Sequence, residues 1–185
     1  MALKKPAPRK HIHTRDIRCH GYQREDGLWD IEAHLTDTKS YAFDSSFRGA
    51  IQPGEPIHNM WIRLTVDQNF VVRHAEAATD ASPFAICPAV TSSFASLEGV
   101  VMGRGWSRAV RERMGGVQGC THLVELVRAM ATVAFQTIRG DRDKAAADTG
   151  TGKAASKPLF IDGCHALDSR GDIVREQFPE WYRAE

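Results

Sequence analysis

The sequence predicts an α+β fold, an antiparallel β-sheet with helices packed on one face. Three observations carry this. Residues 28–35 and 58–66 alternate apolar and polar side chains with the two-residue period of a strand. Glu25-Asp-Gly27 and Asp67-Gln-Asn69 place turn residues where each of these strands meets a neighbour. From Thr121 the period changes. Leu123, Leu126, Val127, Met130, Val133, Ala134 and Ile138 recur at the spacing of one helix face.

Taken in order, residues 1–10 place Pro6 and Pro8 among basic side chains and are expected to form a disordered leader. A single domain is expected over 11–140. Its first strand runs from Ile12 to Tyr22. In the second, Trp29, Ile31, Ala33 and Leu35 share one side, and Asp30, Glu32 and His34 the other. Residues 40–57, with Gly49, Pro53, Gly54 and Pro56, are expected to be a loop. His58, Met60, Ile62, Leu64 and Val66 then point one way along a strand, and Phe70 to Ala78 returns beside it. Two hairpins in succession argue for a sheet with one covered face. Pro88 to Glu98 is a helix weakened by Thr91, Ser92 and Ser93. Ser107 caps a short helix that stops at Gly115-Gly116, and the long helix from Thr121 is expected to end at Gly140. Residues 141–157 fall to Ala, Gly, Asp, Thr and Lys, the composition of a flexible linker. Residues 158–185 close the chain with a strand at Leu159-Phe-Ile161 and a helical turn or two from Asp172 to Phe178, packing back on the domain.

Composition narrows the function. The 185 residues carry 24 Lys and Arg against 23 Asp and Glu, so the chain lacks the basic excess that drives binding to nucleic-acid phosphates. No apolar run approaches the ~18 residues of a membrane span. The basic start has no apolar stretch behind it, so no secretory signal is expected and the location is cytoplasmic. Cys19, Cys87, Cys120 and Cys164 lie far apart and are expected to be free thiols or metal ligands.

Several residues are candidates for chemistry. Gly115-Gly-Val-Gln-Gly-Cys-Thr-His-Leu123 runs straight into the long helix. A cysteine there meets unpaired amide donors and the positive end of the helix dipole, which favours its thiolate as nucleophile or ligand. Cys120 and His122 are therefore candidates, the alternative being a small buried side chain and a cap. Cys87 precedes Pro88, and His58 opens a strand; each is a packed side chain unless the fold brings them together, because no short ligand spacing joins them. On the first hairpin, His13 and Glu32 are candidates for a proton-transferring base, or else line a wetted strand surface. Arg15 or Arg63 would hold a substrate carboxylate, with Trp29 as a further substrate contact. Gly99-Val-Val-Met-Gly-Arg-Gly105 has neither the ending nor the context of a phosphate-cradling loop.

Two resemblances add to this. His11-Ile-His-Thr-Arg15, Asp26-Gly-Leu-Trp-Asp-Ile-Glu-Ala33, Gly54-Glu-Pro-Ile-His-Asn-Met60 and Gly119-Cys-Thr-His-Leu123 resemble a family of small bacterial proteins catalogued only as a domain of unknown function. That likeness names no reaction and implies only an association with catabolic enzymes of aromatic or steroid-like acids. Residues 54–138 also resemble, in layout, the U-type scaffold proteins of iron–sulfur cluster assembly. His58 stands where the scaffold has an aspartate, Cys87 near its loop cysteine, Thr91-Ser-Ser-Phe-Ala-Ser96 in its Ser-rich helix, and Cys120 at its helix-opening cysteine. Pro56 replaces the first scaffold cysteine, and Ile86-Cys-Pro88 replaces a Gly-Cys-Gly loop. His58, Cys87 and Cys120 would then suit a mononuclear zinc centre, with an open position or His122 as fourth ligand. The expectation is a small enzyme, a lyase or other proton-transfer catalyst of an organic acid, metal-assisted, with a homo-oligomer left open. The alternatives are a metal or sulfur carrier without turnover and an accessory ligand-binding subunit.

Overall fold

Alternation becomes strand where the sequence places it. In the computed structural model, which describes residues 3–149, 157–158 and 160–184, four long strands form one antiparallel sheet. They are β1 (His13–Gln23), β2 (Trp29–Lys39), β5 (Pro56–Val66) and β6 (Val72–Ala81), side by side in the order β1-β2-β5-β6. The first hairpin turns at Gly27, whose φ of +82° suits glycine, while Asp26 accepts a bond from the Leu28 amide at 3.2 Å. At the second, the Asp67 carboxylate accepts the amides of Asn69 and Val71 at 2.8 and 3.0 Å. That turn runs two residues past Asn69, so the return strand begins at Val72 and Phe70 packs into the core.

Between β2 and β5 the expected loop contains a small hairpin, β3 (Phe43–Ser45) with β4 (Gly49–Ile51). Strands of three residues carry too little alternation to be visible locally.

One face of the sheet is covered. Trp29, Ile31, Ala33 and Leu35 on β2 and Met60, Ile62, Leu64 and Val66 on β5 are buried with Phe94 and Leu97, with Trp106, Val110 and Met114 of α1 (Trp106–Met114), and with Leu123, Leu126, Val127, Met130, Ala134 and Ile138 of α2 (Thr121–Thr149). Each of these large side chains contributes ~1.5–3 kcal/mol by leaving water. The Trp106 indole donates to the Val127 carbonyl at 3.1 Å, tying the two helices.

The helices depart from expectation in three ways. Cys87–Leu97 is a 3-10 helix, and the hydroxyls of Thr91 and Ser93 donate back to the carbonyls of Pro88 and Val90, both at 2.8 Å. Such local bonds compete with the α-helical pattern. The residue capping α1 is Gly105 in the left-handed region, and Ser107 lies inside the helix. α2 passes Gly140 and stays helical through Thr149. One glycine costs a helix ~1 kcal/mol relative to alanine, and the residues beyond it include Ala145, Ala146 and Ala147, the best helix formers. The expected linker is thus helix over 141–149, and residues 150–156 lie outside the described residues.

The chain divides into two compact units, 1–138 and 139–185, so the boundary falls within α2. Residues 3–10 form no helix or strand and are exposed. In the second unit the Arg139 guanidinium lies 3.8 Å over the Phe160 ring, Phe160 meets Phe178 edge-on, and α3 spans Asp172–Gln177. The strand expected at 159–161 is not formed at Phe160 and Ile161, which lie in a turn; Leu159 lies outside the described residues. Among the described residues no helix is long and apolar enough to cross a membrane.

Candidate functional site

The inward stripe of β2 ends on a charge. The series Trp29, Ile31, Ala33, Leu35 continues, two residues on, to Asp37, which is 2% exposed on the covered face. β1 places Arg15 directly beside it in register, β5 places His58 on its other side, and the pairing with β5 shifts just after, between Asp37 and Thr38. α2 brings His122, its second residue, over the same spot. Three neighbouring strands and a helix start therefore converge on one carboxylate.

The Arg15 guanidinium forks onto it, Nε to Oδ1 and Nη2 to Oδ2, both at 2.8 Å. His58 Nδ1 lies 2.9 Å from Oδ2, His122 Nε2 lies 3.6 Å from Oδ2, and His13 Nε2 lies 3.1 Å from Oδ1. The rings of His58 and His122 are 3.8 Å apart, and the Cys120 sulfur is 3.8 Å from His122 Nδ1. Arg15 also pairs with Glu125, on the same face of α2 as His122. Asp37, His58 and His122 each offer a ligand atom, all within 4.8 Å of one another.

Electrostatics follow from burial and these partners. Burial alone would push the Asp37 carboxyl up; the bonds and charge of Arg15, with the neighbouring histidines, outweigh it and hold it below the usual carboxylate range. Burial holds His58 below the ordinary imidazole range, His122 adding to this against the opposing pull of Asp37. Burial and then the Arg15 charge do the same for His122. A buried carboxylate with two imidazoles that favour their neutral form is a donor set for a divalent ion.

The expected site residues fall into three groups. His13, Arg15, His58, Cys120 and His122 come together. Cys120 precedes the first turn of α2, its carbonyl accepting from the Val124 amide at 2.9 Å, and stands beside the group of ligand atoms without belonging to it. Cys87 is half-buried at the start of its 3-10 helix and does not belong to the Asp37–His58–His122 group. Glu32 and Arg63 project from the opposite face of the sheet, as the two-residue period requires. There Arg63 bonds Glu32 at 2.7 Å and Glu76 at 2.6 Å, beside a hollow of about 300 Å³ walled by Trp61. Trp29 is 6% exposed in the core and packs rather than touching substrate.

Sequence reasoning missed Asp37 and Glu125. Asp37 was within reach, because extending the β2 period by one more inward position lands on it. Glu125 had a weaker sign, its place three residues after His122 on the helix.

No curated protein and no solved structure matches the chain. The residues of the cluster, from His13 to Glu125, all lie within the span 13–136 matched by the family model described as a protein of unknown function (DUF2889), and the chain belongs to that family.

Proposed function

We propose that Asp37, His58 and His122 hold a divalent metal, zinc by its donor chemistry, that serves a proton-transfer reaction of lyase type on a small organic acid. The observation that carries this is the convergence of three ligand atoms from β2, β5 and α2 within 4.8 Å. Zinc–ligand bonds near 2.0–2.2 Å separate tetrahedral donors by roughly 3.4 Å. The distances of 2.9 and 3.6 Å from Asp37 Oδ2 to His58 Nδ1 and His122 Nε2 bracket that value. Three protein ligands leave a position for substrate, the pattern of a catalytic rather than a structural centre.

A metal held by these three residues would polarise a carbonyl or carboxyl oxygen of the acid and make an adjacent C–H bond more acidic. His13, 43% exposed at its side chain and with Nε2 3.1 Å from the far oxygen of Asp37, is the base that takes the proton from that C–H bond. Cys120 faces the His122 nitrogen away from the metal and fixes which one binds, as outer partners of ligating histidines do. The two thiols expected as ligands are not needed. An aromatic acid is the substrate suggested by family resemblance, and a cytoplasmic setting agrees with free thiols.

The test is zinc titration of the full chain, followed by solvent-deuterium exchange into a panel of aromatic and aliphatic acids read by NMR. Zinc-dependent exchange is expected, falling by ~100-fold or more in His13→Ala. Stoichiometric zinc with neither exchange nor elimination across the panel would instead support a metal carrier. Binding of acids without zinc would support an accessory binding subunit.

A further inference from the structure

The guanidinium of Arg15 has two working edges. Nε and Nη2 are committed to Asp37, itself buried, and hold that carboxylate in place. Nη1 points the other way, to Glu125. The two acceptors differ in kind. The Asp37 side chain is 3% exposed and cannot leave without stranding its partners, whereas that of Glu125 is 44% exposed on the surface of α2 and is free to swing into water. An exposed pair of this sort is worth little, so its replacement by another carboxylate is nearly an even exchange.

We propose that Arg15 Nη1 is the seat for the carboxylate of the substrate, and that Glu125 fills that seat until a substrate displaces it. The proposal rests on the metal reading and deepens it by placing the acid's carboxylate on one edge of Arg15, in the place Glu125 holds before it arrives. Charge favours the exchange. With neutral imidazoles, Asp37, Arg15 and Glu125 together bear one negative charge, which a divalent ion turns to one positive. Release of Glu125 raises that to two, which a monoanionic ligand spanning Arg15 and the metal would partly neutralise. A guanidinium edge binds carboxylates through directed, charge-assisted bonds, so a neutral ligand of the same shape gains nothing from it.

The experiment compares benzoate with benzamide as probes, in the wild type and Glu125→Ala, each with and without zinc, while zinc affinity is titrated separately. Glu125→Ala should tighten benzoate by roughly two- to five-fold, the effect of removing one exposed competing ion pair. The gain should appear with or without zinc, shrink in high salt, and be absent for benzamide. If zinc fails to bind but the benzoate gain persists without it, the metal reading falls and the seat stands. Unchanged benzoate affinity in Glu125→Ala, no benzoate binding at all, or an equal gain for benzamide would overturn the proposal.

Discussion

Asp37 accepts from Arg15 on both oxygens and has three histidines around it, so its environment decides how the cluster responds to pH. For His58 and His122 the folded protein holds the imidazole below its unfolded value of ~6.5, so the unfolded chain binds more protons at mildly acidic pH. Their contribution to stability is complete above that value and is lost as pH falls through the depressed ones. Asp37, also lowered, keeps its contribution down to its unfolded value of ~3.9 and loses it below. The melting temperature of metal-free protein should therefore drop between pH 7.5 and 5.5, and the drop should be smaller in a His58→Gln, His122→Gln double variant. Parallel profiles for the two proteins would contradict the burial argument. These histidines and Arg15 could be named from sequence, because residue type and helix-start position mark them. Their common target could not, since Asp37 meets them only through strand register.

Along single elements, the legible features are those with a long period. The buried stripe of α2 from Leu123 to Ile138 is readable because about four turns repeat it; its persistence past Gly140 is not, because a polar, alanine-rich run looks alike as linker and as exposed helix. β2 was readable to Leu35, and the last inward residue was lost where polarity broke the pattern. Packing between elements leaves its own sign at Gly21 on β1. A Cβ there would sit 1.9 Å from the Thr137 hydroxyl oxygen of α2, so the helix lies directly on the strand. Gly21→Ala should destabilise by ~1–3 kcal/mol, and adding Thr137→Ala should restore a good part of it. Chemical denaturation of the single and double variants measures this. A neutral Gly21→Ala would mean that helix and strand are not in contact.

For the molecule as a whole, the sheet separates two chemistries. Its covered face ends in the Asp37 cluster; its open face carries the Glu32–Arg63–Glu76 ion pairs and the stack of His34 on Trp61 at 3.5 Å. The sequence supplies candidate bases on both faces, and only the fold distinguishes them. Glu32→Gln should leave zinc affinity unchanged and shift stability by no more than ~1 kcal/mol, as loss of an exposed pair does; a large loss of zinc binding in that variant would mean that the two faces communicate. The central claim, a metal held by one carboxylate and two imidazoles, is tested most directly by zinc titration calorimetry on wild type, His58→Ala, His122→Ala, Cys87→Ala and Cys120→Ala. The account predicts one zinc per wild-type chain and a loss of at least ~100-fold in either histidine variant, more than removal of an outer partner costs. Cys87→Ala should bind as wild type, and Cys120→Ala should retain stoichiometric binding with affinity reduced by at most ~10–100-fold. A wild type that binds no zinc, or histidine variants that bind it undiminished, would contradict it.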